Sequence, residues 1–140
     1  SAPNPRRVTN GVDSSRVAMI LAILERRAGV KVSDKDVYVS TVGGVRLIEP
    51  AADLAIAVAV ASAMHDFAVP HEVAAVGELS LAGEIRPVTM AGQRSGEAKR
   101  LGYTTLVDAD AVTLSPAINQ IKALAARAAG HAKLRDVPEF

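Results

Sequence analysis

The chain has 140 residues, 49% apolar and 22% charged, with a formal net charge of +1. That is enough for one domain with a real core, and it excludes a disordered chain. It has no cysteine and no tryptophan, which excludes a disulfide framework or a cysteine zinc site within it, fits a cytoplasmic location and leaves a core of Ala, Val, Leu and Ile. The near-neutral total hides a pattern. Residues 1–35 carry seven Lys/Arg against three acids, residues 36–80 carry Arg46 alone against six acids, and residues 81–140 carry eight bases against six acids. A basic beginning of this kind suits an anion-binding face.

Residues 1–11 hold Pro3, Pro5 and Gly11 without a period and read as an extended lead-in. Its abrupt start predicts a fragment of a longer protein, and no signal peptide or membrane span is expected. Asp13 or Ser14 can cap a helix whose apolar stripe is Val17, Ile20, Leu21, Leu24 and Ala28, with Gly29 at its end and Arg16, Glu25, Arg26 and Arg27 off the stripe. Residues 36–42 alternate and are β-branched, which predicts a strand; Gly43-Gly44 interrupts it, and Val45–Ile48 resumes extended.

From Pro50 to His65 runs an Ala-rich stretch with no charge after Asp53, expected as a central helix buried on all sides and too short to span a bilayer. Residues 73–78 read as a second core strand, and residues 79–87 as a hairpin turning near Ala82-Gly83. A third helix is expected from Ala91 to Leu101, stopped by Gly102, and a strand at Thr104–Val107. Ser115-Pro116 starts a fourth helix, with Ile118, Ile121, Leu124, Ala125 and Ala128 inward and Gly130 at its end. Residues 131–140 read as a tail. The class is therefore α/β or α+β, with a mixed sheet and about four helices in a single domain over 1–140.

Three passages in order carry a resemblance. They are Asn4-Pro-Arg-Arg7 with Gly11-Val-Asp-Ser-Ser-Arg16; Asp36-Val-Tyr-Val39 with Val42-Gly-Gly-Val-Arg46 and Ala51-Ala-Asp-Leu54; and Gly77 to Pro87 with Glu97-Ala98 and Gly102. Over residues 4 to about 108 the chain resembles the C-terminal domain of the bacterial RadA (Sms) DNA repair family, which is similar to the proteolytic domain of Lon proteases. The resemblance implies the ribosomal protein S5 domain 2-like fold. It also implies an upstream zinc finger and RecA-like ATPase, so that ATP with Mg²⁺ and Zn²⁺ belong to domains outside this chain, and a further strand upstream of Asn4 that leaves a sheet edge open here.

Lon-type proteases use a serine nucleophile and a neutral lysine base. Laid along this chain, the serine falls on Ala51 and the lysine on Arg94. Alanine has no nucleophile, and arginine stays protonated at physiological pH, so the dyad is degenerate and no catalysis is expected of this domain. The alternative is a peptidase with a relocated pair, Ser80 or Ser95 with Lys99. Ser62 is expected to bond back to its own helix, and His65 and His71 to lie on the surface. No His/Asp/Glu spacing resembles a zinc site and no G-x-x-x-x-G-K-S/T is present. Asp53 either favours its helix N-terminus or pairs with Arg94.

The resemblance further implies a homo-oligomer, a hexamer in the full-length DNA-dependent ATPase, with RecA recombinase as functional partner. An arginine-lined ring face would take DNA by its phosphates, independent of sequence. The candidates are Arg6, Arg7, Arg16, Arg46 and Arg86, with Arg26 and Arg27 second, and the adjacent Arg6-Arg7 foremost. Tyr38 is expected within the sheet and Tyr103 after a helix end, so no aromatic stacking platform is expected.

Overall fold

The computed structural model describes residues 4–135, with side chains to residue 131. Helix α1, Ser14–Ala28, starts where Asp13 accepts the Arg16 N–H and stops where Gly29 turns left-handed, as its sequence signals require. Val17, Ile20, Leu21, Ile23 and Leu24 are buried along it. Strand β1, Arg7–Asn10, pairs in parallel with β2, Val37–Ser40, aligning Val8 with Tyr38 and Asn10 with Ser40. The lead-in is thus extended as expected, and part of it is a strand in its own right.

The glycine interruption forms a 3-10 turn at Val42–Gly44, with both glycines at positive φ. Beyond it only Leu47 resumes pairing, with Val12, so the expected second extended run is mostly loop. Another 3-10 turn, Pro50–Ala52, leads into the central helix α2, Asp53–Met64. Its Leu54, Ala57 and Ala61 are fully buried beneath α1, α4 (Leu114–Arg135) and β3 (Val73–Ala75). Burial on all sides does not hold. Ala55, Ala59 and Ala63, one row at i, i+4 spacing, are exposed, because no element among the described residues covers that side.

The expected strand over 73–78 is divided. Strand β3 ends at Ala75, and β4, Glu78–Leu79, begins a separate antiparallel hairpin with β5, Ile85–Arg86, turning at Ala82-Gly83 as expected. The break falls at Gly77, whose backbone turns aside to bond with the start of α2. Helix α3, Ala91–Arg100, has no buried residue. Strand β6, Thr105–Val107, pairs in parallel with β3. The described strands therefore form three two-stranded pairings, two parallel and one antiparallel, around four helices: an α+β fold.

Helix α4 buries Leu114, Ala117, Ile118, Ile121 and Ala125; Leu124 is half-buried. The expected end at Gly130 and the inward Ala128 are both corrected. The helix continues to Arg135, and from Ala126 to His131 it is exposed, because its alanines carry helical propensity past the edge of the core. Residues 131–135 of the expected tail are therefore helical, while 1–3 and 136–140 lie outside the described residues. Among the described residues, no helix is long and apolar enough to cross a membrane.

Candidate functional site

The N-terminus of α2 is held by backbone and by one buried charge. Gly77 donates its N–H to the Ala51 carbonyl at 2.8 Å and accepts from Leu54 N–H at 3.0 Å. Only glycine fits there, since a Cβ would stand 2.5 Å from Ile85 Cγ2. Asp53 is 1% exposed. Its carboxylate accepts from Arg16 Nε at 2.7 Å, from Arg16 Nη2, and from the Leu79 N–H at 3.0 Å. That one side chain joins α1, α2 and the hairpin. The hydrogen bond to Asp53 is the largest reason that the Arg16 guanidinium is held charged more firmly than usual, with Glu78, 3.7 Å away, adding to it.

The pairing of Asp53 with Arg94 is overturned. Arg94 donates to Glu49 Oε2 at 2.7 Å and to the Thr89 carbonyl at 3.1 Å. Arg94 and Ala51 nevertheless line one cleft of about 410 Å³, together with Arg46, Glu49, Ala55 and Val76. The two positions where the resemblance places the dyad thus share a cavity that holds a methyl group and a permanently charged guanidinium. Ser80 is occupied in the hairpin turn, where its hydroxyl accepts the Glu84 N–H. Ser62 bonds back to Ala59, and His65 and His71 are exposed, as expected.

The candidate arginines separate into two groups. The Arg7 guanidinium donates to the carbonyls of Arg6, Lys35 and Val32, and Arg16 is committed to Asp53. Both therefore hold the fold together and leave little for a phosphate. Arg6, Arg46 and Arg86 are exposed and have no acidic partner among the described residues; so are Arg26 and Arg27 in the last turn of α1. Arg46 stands between the dyad-position cleft and a polar cleft of about 590 Å³, which is lined by Thr9, Asn10, Asp13 and Arg16. Gly11 shapes that loop: it has φ +83°, and a Cβ there would meet the Val45 carbonyl at 2.6 Å.

Tyr38 lies within the sheet as expected, but it is not covered there. It belongs to β2, yet its side chain is on the open face of the sheet and 62% exposed. The signal was the alternation itself: the burial pattern in β1 and β2 puts Val37 and Val39 inward and Tyr38 outward. Among the described residues, no group of three or more His, Asp or Glu side chains could hold a metal ion.

Residues 11–111 match the family described as subunit ChlI of Mg-chelatase. The chain is 50% identical over 113 residues to the DNA repair protein RadA of Mycolicibacterium smegmatis, covering 81% of this chain and 24% of that protein. It is 45% identical over 108 residues to the protein of that name from Halalkalibacterium halodurans, covering 76% and 23%. Against that of Pseudomonas aeruginosa it is 45% identical over 100 residues, covering 71% and 22%. The chain spans about a quarter of the length of these curated relatives. Because the family match takes in well over half of its residues, the chain belongs to the family described as subunit ChlI of Mg-chelatase.

Proposed function

We propose that this chain is the non-catalytic, Lon protease-like domain of a DNA repair and recombination ATPase of the RadA type. The observation that carries the reading is 45–50% identity, along 71–81% of the chain, to proteins named DNA repair protein RadA. In this reading the whole protein is a cytoplasmic, hexameric, DNA-dependent ATPase that works with RecA on recombination intermediates. ATP with Mg²⁺ and Zn²⁺ are held by its upstream domains. The present domain helps the ring assemble and contacts DNA through phosphates, without reading bases.

Two features of the site support this. A cleft with Ala51 and Arg94 at its dyad positions has neither nucleophile nor neutral base there. The exposed Arg6, Arg46 and Arg86, without acidic partners among the described residues, are suited to phosphate. The test is the solution mass of the domain with and without DNA at low and high salt, together with fluorescence anisotropy on labelled oligonucleotides of unrelated sequence. Binding that is indifferent to sequence and dissolved by salt is expected. A domain that stays monomeric and ignores DNA at low salt would overturn the reading. Labelling of the folded domain at Ser80 or Ser95 by a serine-reactive phosphonate would overturn its non-catalytic part.

A further inference from the structure

The open face of the β1–β2 sheet has the makings of a stacking surface for bases. Residues alternate along both strands. Arg7, Thr9, Val37 and Val39 turn inward and are half-buried, while Arg6, Val8, Asn10, Tyr38 and Ser40 are exposed. The parallel register places Val8 directly opposite Tyr38, and Asn10 opposite Ser40. An aromatic ring and an aliphatic side chain therefore stand side by side on a solvated sheet, Tyr38 62% and Val8 48% exposed. The positive charge lies at the two ends of this strip. Arg6 immediately precedes β1. Arg46 lines the cleft beside Thr9 and Asn10 at its end; of the acids in that cleft, Glu49 is paired with Arg94 and Asp13 caps α1. At a strand rise of about 3.3 Å per residue, Arg6 and Asn10 are about 13 Å apart, a span of a few nucleotides. Asp36 lies at the Arg6 end, but its carboxylate accepts the Arg6 backbone N–H at 2.7 Å, and no acid among the described residues pairs with the Arg6 guanidinium.

We infer that this face binds single-stranded nucleic acid, with a base stacked on Tyr38 and the flanking phosphates on Arg6 and Arg46. The inference deepens the DNA-binding reading above and rests on it. An exposed aromatic on a sheet offers its π-face to any base, whatever the sequence, but only to a base already out of the duplex stack. Arginines alone do not distinguish a single strand from a duplex of equal charge, and the tyrosine does. Asn10 and Ser40 add neutral hydrogen-bonding groups on the same face.

The absence of tryptophan makes the test direct, because Tyr38 and Tyr103 are the only strong intrinsic fluorophores. The measurement is anisotropy with a single-stranded oligonucleotide and with a duplex of the same length, alongside tyrosine emission, for the unaltered chain and for Tyr38→Ala, Tyr38→Phe and Tyr103→Phe. Tyr38→Ala is expected to weaken single-strand binding about tenfold and to leave duplex binding unchanged. Tyr38→Phe keeps the affinity but loses the quenching of tyrosine emission by the single strand, whereas Tyr103→Phe keeps both. Tyr38 is largely exposed, so the variants are expected to fold, and circular dichroism checks it. DNA binding with no effect of Tyr38→Ala and no quenching overturns the stacking site and leaves the DNA reading standing. A Tyr38→Ala variant with altered solution mass but unaltered DNA affinity also overturns it, and assigns the face to a protein contact. No binding of either DNA at low salt overturns both.

Discussion

The Arg16 guanidinium meets the Asp53 carboxylate edge on, with Nε 2.7 Å from Oδ1 and Nη2 bonded to Oδ2, and thereby fastens α1 to the first turn of α2. Arg16 reaches solvent along part of its length, whereas Asp53 does not. The two ends of the pair are therefore unequal: a lost arginine strands a buried carboxylate, while a lost aspartate leaves a cation that can turn toward Glu78 and water. Arg16→Ala is expected to lower stability by about 3 kcal/mol. The double change Arg16→Met with Asp53→Leu should cost less than Arg16→Ala alone. Urea denaturation of the three chains checks the order.

Arg6 and Arg7 are neighbours with opposite duties. Arg7→Ala removes the donor to the Val32 and Lys35 carbonyls and is expected to lower stability by about 1–3 kcal/mol. Once the variant is held folded, the salt dependence of DNA binding should be unchanged. Arg6→Ala and Arg46→Ala should leave the denaturation midpoint within about 0.5 kcal/mol of the unaltered chain. Each should also reduce the log–log salt slope by roughly 0.7 for a single strand. Equal salt slopes for all three variants would contradict this division.

Glu25 supplies a pH dependence. Its carboxylate accepts the Ser33 and Val32 backbone N–H groups, and these bonds, the Ser33 one first, hold its pKa below the ordinary 4.5. The folded chain thus binds its proton less readily than the unfolded chain. The resulting stabilisation is full above about pH 4.5 and is lost as the pH falls through the lowered folded value. Glu25→Gln keeps an acceptor oxygen but not the charge. Its deficit in stability should therefore be present at pH 7 and vanish toward pH 2 in thermal melts across that range.

Two glycines should respond in opposite directions. Gly77→Ala drives a methyl group against Ile85 beside the start of α2 and is expected to cost about 1–3 kcal/mol. Gly92→Ala on α3 meets nothing within 4 Å and is expected to add about 0.5 kcal/mol, by restricting the unfolded chain. Paired denaturation curves decide it.

Local signals were legible wherever they acted within one element. The Asp13 cap, the Gly29 stop, the hairpin turn at Ala82-Gly83 and the apolar stripe of α1 all follow from spacing alone. What could not be read was long-range partnership. Arg16 looked like one more basic residue off an apolar stripe, and only the approach of α2 gives it Asp53, 37 positions away. The same holds for Arg7, whose acceptors lie in the turn before β2. Val30 and Val32, which follow the Gly29 stop, are core residues that no periodicity marks. At the candidate dyad, Ala51 and Arg94 were found from the resemblance, but the partner of Arg94 was Glu49 rather than Asp53, because charge type does not fix distance.

Helix α3 has no buried residue, and the Arg94–Glu49 pair that ties it to the α2 entry is partly solvated. It is framed by Met90 at φ +60° and Gly102 at φ +97°. By contrast α1, α2 and α4 share one continuous apolar interior. Free energy of opening is therefore distributed unevenly through the molecule. The three packed helices form the cooperative unit whose loss is global unfolding, whereas α3 can open as a subglobal event well below that cost. Its amides are expected to be among the fast-exchanging ones, and the cleft containing Ala51 then has one wall, at Arg94 of α3, that breathes while the wall at Ala55 of the packed helix α2 stands still.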